Sequence, residues 1–237
     1  MFGQGVAQNK NYLSFLEEGL NTKFPQKHWE IINTAVPGYN TVMEVETLAQ
    51  KALRYHPDIV IIERIGNDLD LPNFIYEPDN WLDFRKSFFW GFINLKGLAL
   101  QREFCLFDAP VVIKNGVFER FENNPKKLPA YCRNLVGKGP YKKAFYYLKF
   151  LSQKNHFIVI SLLTIKPGHQ NSFSYELSKK LGFYTTFNEV FDPAKDISLA
   201  LNKNDRHPSE KGHMIIAKFL LGFMESEKII DRFLLEK

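Results

Sequence analysis

Asp205 and His207 stand two residues apart in the run Asp205-Arg206-His207-Pro208-Ser209-Glu210-Lys211-Gly212-His213. In extended chain, that spacing brings a carboxylate beside an imidazole. The carboxylate can fix the imidazole tautomer and stabilise its protonated form, which makes the ring a competent general base. A bare DxH also describes any loop histidine next to an acid, so the pair gains meaning only from its surroundings. His213, about one helical turn further on, reads as a cap or packing residue.

Two other short stretches could assist such a base. Ile65-Gly66-Asn67-Asp68 follows an apolar run directly, and in open α/β sheets ligands sit outside the carboxyl ends of strands. There the Asn67 amide could aim an NH2 donor at a developing oxyanion. In Asn33-Thr34-Ala35-Val36-Pro37-Gly38-Tyr39-Asn40, Gly38 could let a backbone N–H face a ligand at a helix N-terminus. Each stretch alone is a common turn sequence.

Together, in this order, the three stretches resemble the SGNH (GDSL-like) hydrolase family, and the run HPSEKGH is similar to that family's HPN-x-x-GH. The resemblance covers Phe2–Thr47, Pro57–Asp70, Phe157–Thr164 and Asp205–Leu221, and leaves out Leu71–Pro140. It implies a three-layer α/β/α flavodoxin-like parallel sheet and an ester hydrolase working through a serine acyl-enzyme. His207 would be the base, Asp205 its orienting acid, and Gly38 and Asn67 the oxyanion donors. No metal or organic cofactor is implied, and the substrate would be a small-molecule or glycan ester. Many members space the acid and histidine as DxxH. Asn204 holds that position here, so Asp205 follows a DxHP variant.

The larger departure concerns the nucleophile. Phe2-Gly3-Gln4-Gly5-Val6 resembles the segment after the serine in GDS-x-T-F-G-x-G-V, with Met1 at the Thr position and the serine two residues before it. The chain contains neither Gly-Asp-Ser nor a Gly-x-Ser-x-Gly elbow. Ser161 falls in an expected strand, Ser14 in an expected helix, and Ser209 at a helix cap. In the resembling strand order 2-1-3-4-5, the first strand is central and would also precede Met1. The sequence is therefore expected to be an N-terminally truncated reading of a longer one, in which Trp29–Val36 does not pair directly with Asp58–Ile65. Two other readings stay open: acyl transfer onto a polysaccharide, and a binding module that has lost its nucleophile.

The elements that must position these residues follow from hydropathy. Trp29–Val36, Asp58–Ile65 and His156–Thr164 are short β-branched runs, read as strands buried on both faces of a parallel sheet. A weaker strand is expected within Phe183–Val190. Val42, Val45, Leu48, Ala49, Ala52 and Leu53 recur at helical spacing and form a crossover helix. Asn11–Asn21, Tyr141–Gln153 and Ser172–Leu181 behave likewise, and a last helix starts at Pro208-Ser209 and runs to about Met224. One domain over residues 1–237 is expected, with an aromatic-rich insertion at about 71–140 that includes a helix at Trp81–Phe104. The insertion is either a lid or specificity element over the carboxyl edge of the sheet, or extra structure packed on the domain.

Composition narrows the partners. Hydrophobic residues make up 45% and charged residues 24%, enough to bury a full core. The net charge is +5, but the lysines are scattered among acids and read as solvated helix faces, with no nucleic-acid motif. Cys105 and Cys132 lack metal-ligand spacing, and a disulfide or two thiols fit equally. No apolar run reaches the length of a membrane span. Oligomeric state and compartment are not written in the sequence.

Overall fold

The computed structural model describes residues 3–64, 68–70, 112–114, 117–119, 130–164, 169–186 and 190–235. Asn67, the helix expected at Trp81–Phe104, Cys105 and most of the insertion lie outside the described residues. Three parallel strands, β1 (Ile59–Arg64), β4 (Ile158–Leu163) and β5 (Tyr184–Thr185), form a sheet in the order β1-β4-β5. The sequences IVIIER and IVISLL are nearly continuous in β-branched and aliphatic residues, as strands covered on both faces require. They pair from Ile59↔Ile158 to Arg64↔Leu163, so their carboxyl ends are level. A separate antiparallel pair, β2 (Val112–Lys114) and β3 (Val117–Glu119), belongs to the insertion.

Alternation along the strands divides the core between two helical layers. Val60 and Ile62 of β1, with Val159 of β4, pack against α2 (Thr41–Thr47), α3 (Lys138–Asn155) and α4 (His169–Lys180). Ile59 and Ile61, with Ile160 and Leu162, face α1 (Tyr12–Lys23), α5 (Glu210–Ser226) and α6 (Ile229–Leu235). The result is an α/β fold with a small parallel sheet flanked by helices on both faces. Local chemistry sets the helix starts. The Asn11 side chain accepts from the N–H groups of Leu13 and Ser14, and the Ser209 hydroxyl accepts from Gly212 N–H. The crossover helix runs on from α2 through a π turn (Leu48–Ala52) and a 3-10 turn (Leu53–Tyr55).

Trp29–Val36 departs from expectation. It is extended but forms no ladder among the described residues, so it is not a strand. Nearby side chains take up part of its polar backbone instead. Asn21 both accepts from Trp29 N–H (2.9 Å) and donates to Trp29 O (2.8 Å), and Glu17 accepts from Ile31 N–H at 2.5 Å. Trp29 and Ile31 still lie against the α1/α5 layer, as Ile59 and Ile61 do. β-branched residues make a good strand only where a neighbour supplies the ladder. The Phe183–Val190 strand is likewise shorter than expected, and α6 was not foreseen, although Ile229 and Ile230 are buried in it.

His213 is a packing residue, as expected. Its ring is wholly buried and stacks on Tyr12 with centroids 6.1 Å apart. Neither ring nitrogen has a hydrogen-bond partner, and burial is the main cause that pushes its pKa from 6.5 down to about 4. The unfolded chain therefore takes up this proton at a higher pH than the folded chain does. The contribution is fully present above about pH 6.5 and is lost as pH falls towards 4. Glu44 acts in the opposite sense: burial raises it from 4.5 to about 7, so its contribution is lost as pH rises through that range. Replacing His213 with leucine should flatten the loss of stability between pH 6.5 and 4, read from urea midpoints across pH. Parallel curves for the two proteins would refute that role.

Candidate functional site

The Asp205–His207 pair sits on a tightly pinned loop leading into α5. The Asn202 side chain accepts from Asn204 and Asp205 N–H, each at 2.9 Å, which sets the turn. Leu201 N–H donates to His207 O (2.9 Å), Ser209 N–H donates to Leu199 O (2.7 Å), and Ala200 bridges Pro208. The first turn of α5 presses onto this loop at Gly212. A Cβ there would lie 2.4 Å from the Leu199 carbonyl oxygen, so only glycine allows the approach. This close contact explains why a glycine occupies that place in HPSEKGH.

Within the loop the pair is made as the spacing predicts. His207 Nδ1 lies 2.6 Å from Asp205 Oδ1, and the same oxygen accepts from His207 backbone N–H at 3.0 Å. That backbone bond is the first cause holding Asp205 below the usual carboxylate range, with the ring contact adding to it. The ionised carboxylate accepts a hydrogen bond from Nδ1–H, and this tautomer leaves Nε2 as the ring's basic nitrogen. Both side chains are about one-third exposed, so the pair is open to solvent. Ser209, two residues on, is engaged as a cap: its hydroxyl donates to Ser198 O at 2.7 Å. Ser161 is buried in β4 with its hydroxyl 2.9 Å from that of Ser178, and the Ser14 hydroxyl donates to Gln8 O.

The loop connects to the carboxyl end of β4. Thr164 O accepts from the N–H groups of Val190 and Phe191, and the Phe191 ring lies 3.1 Å from a Cβ built on Gly212. The Thr164 hydroxyl donates to Glu63 of β1 at 2.8 Å. Gly38 occupies a turn between the extended segment and α2, with φ of 77°, a conformation that suits glycine. Asn40, fully buried, ties that turn down. It caps α2 through Met43 N–H and donates to Asp70 O (2.9 Å) and Leu135 O (2.7 Å). The Gly38 turn is thus fastened to residues 68–70, which follow β1.

Two residues of this region escaped the sequence reading. Asn40 looked like one more turn asparagine, and its partners lie 30 and 95 positions away. Arg64, fully buried at the end of β1, donates to Ser161 O, Thr186 O and the Ser174 hydroxyl. Asp58–Ile65 reads as a strand buried on both faces, but nothing in the run shows which partners the Arg64 side chain takes. Among the described residues, no cluster of His, Cys, Asp or Glu could hold a metal ion, and no helix is long and apolar enough to cross a membrane.

Solved structures of similar fold include an α/β hydrolase and an acetylxylan esterase. LAE5, an α/β hydrolase enzyme from the metagenome of Lake Arreo, Spain, superposes with a TM-score of 0.52 at 15% identity. That match covers 94% of this chain and 86% of the other. A variant of Axe2, an acetyl-xylooligosaccharide esterase from Geobacillus stearothermophilus, gives 0.50 at 13% identity, covering 94% and 85%. A catalytic mutant of the same acetylxylan esterase gives 0.50 at 13%, covering 94% and 83%. No family model and no curated protein matches the sequence.

Proposed function

We propose that this chain carries the acid–base half of an SGNH-type serine ester hydrolase, with His207 as general base and Asp205 as its orienting acid. The observation that carries the reading is the 2.6 Å Asp205–His207 contact, held on a pinned loop at the carboxyl end of the sheet. In this reading His207 Nε2 takes the proton of a serine as it attacks an ester carbonyl, then returns it to the leaving alcohol. Water hydrolyses the acyl-enzyme by the reverse path. The Gly38 N–H and the Asn67 amide, with the serine's own N–H, hold the oxyanion.

In this reading the serine comes from a segment placed ahead of Gly3. Two features support this. Gly3–Val6 packs beside the histidine loop: a Cβ on Gly5 would lie 2.1 Å from Leu201 Cδ1, and Leu201 donates to His207 O. A turn arriving there would bring its hydroxyl towards the imidazole. Among the described residues β1 also carries a ladder on one side only, with β4 as the partner. Trp29 and Ile31 lie over the same helices as Ile59 and Ile61 without pairing to them. A parallel strand between the two, followed by α1, would make a right-handed β-α-β crossover in flavodoxin-like order.

The solved esterases of similar fold suggest an acetylated oligosaccharide as the first natural substrate to try. The test is to place a β-strand and Gly-Asp-Ser ahead of residue 1 and assay p-nitrophenyl acetate and acetylated xylooligosaccharides. Serine-dependent hydrolysis supports the reading. A folded extended protein that binds the oligosaccharide without cleaving it would instead mark a binding module. Transfer of the acyl group to an added glycan, rather than to water, would mark an acyltransferase.

A further inference from the structure

Helix α3 packs Tyr141, Ala144, Phe145, Leu148 and Leu151 into the core through one face. Its opposite face leaves Tyr146 and Tyr147 42% exposed and Phe150 54% exposed, three rings within little more than a turn. Tyr147 and Phe150 stack on each other with centroids 6.3 Å apart, and Lys142 Nζ lies 5.9 Å from the Tyr146 ring centre. Single exposed apolar residues are ordinary, but a contiguous patch of aromatic rings marks a surface used for contact.

The charge on this helix has one sign. Helix α3 reads KGPYKKAFYYLKFLSQKN: five lysines and no acidic residue. Lys142, Lys143 and Lys154 are exposed beside the rings. Lys138 also stands in the first turn, where the helix dipole disfavours cations. Among the described residues, no ion pair engages Lys142, Lys143 or Lys154.

We propose that this face of α3 docks on an anionic lipid surface. Tyr146, Tyr147 and Phe150 enter the headgroup zone, and Lys142, Lys143 and Lys154 meet the lipid phosphates. Tyrosine suits that depth because its ring is apolar and its hydroxyl stays wet. Lysines beside it gain from the negative surface potential. The rings stand on one helix face among lysine point charges, whereas single-stranded nucleic acids are held in grooves with bases stacked on rings. The inference is independent of the esterase reading, since it uses no residue of the histidine loop.

Co-sedimentation of the full chain with vesicles tests it. Phosphatidylcholine vesicles in which a third of the lipid is phosphatidylglycerol should bind the chain about tenfold more strongly than pure phosphatidylcholine, with the gain lost in high salt. Tyr146→Ser with Tyr147→Ser and Phe150→Ser, and separately Lys142→Glu with Lys143→Glu, should each lower that binding about tenfold. These side chains lie outside the core, so the circular dichroism of both variants should match the parent. Failure to bind anionic vesicles, equal binding to neutral ones, or unchanged binding by either variant would overturn the proposal. So would a single-stranded oligonucleotide that binds more tightly than the vesicles and is released by the same substitutions.

Discussion

On the proposed mechanism, in a chain extended to carry the serine, His207→Ala should lower kcat/KM for p-nitrophenyl acetate by at least about 10³-fold. The size follows from what the ring is asked to do. Without Nε2, the hydroxyl must lose its proton to water, and the leaving alcohol departs without a proton donor. Asp205→Asn should cost about 10²–10⁴-fold, because an amide at that place no longer stabilises the imidazolium and favours the wrong tautomer. The two losses should not add. In the double variant the rate should match His207→Ala alone, because Asp205 acts only through the imidazole. The loop is held by backbone bonds independent of the His207 ring, such as Leu201 N–H to His207 O and Ser209 N–H to Leu199 O. Unchanged unfolding midpoints in the single variants would separate chemistry from folding. Hydrolysis that persists in His207→Ala would remove the histidine from the mechanism.

How much of this was legible before any coordinates differs by the range of the interaction. Patterns set by neighbours in sequence were read well. Asp58–Ile65 and His156–Thr164 became β1 and β4 within one or two residues, because continuous β-branched runs have one common use in an α/β protein. Asn11 and Ser209 were recognisable as helix boundaries, since a cap satisfies donors two or three residues on. The Asp205–His207 contact is also local and was read from spacing alone. Trp29–Val36 was legible as extended chain but not as unpaired chain, since a ladder belongs to two segments and only one is in the run. Asn40 and Arg64 lay beyond reach for the same reason. Their partners are 30 to 122 positions away, and nothing in the residue type announces them.

Arg64 carries the second large prediction: Arg64→Met should cost about 3–5 kcal/mol of stability, a large share of the 5–15 kcal/mol typical of a domain. Methionine restores much of the buried volume, so the loss should come from polar groups rather than a cavity. The guanidinium extends from the end of β1 and donates to Ser161 O on β4, to Thr186 O just past β5 and to the Ser174 hydroxyl on α4, joining all three strands and one helix. Its charge also faces Asp68, which is buried in the turn after β1. Removing it strips buried oxygens of a donor and takes away a positive charge that acts on Asp68, and each such loss is costly in a dry interior. Burial lowers the Arg64 pKa, yet arginine keeps its charge where a lysine would give it up. Arg64→Lys should therefore rescue little, since one ammonium cannot reach three acceptors on separate elements. Urea unfolding measures the effect as a fall in midpoint at unchanged slope. A loss below about 1 kcal/mol would mean that the acceptors are satisfied without Arg64 and that the strand ends are held by their ladders alone.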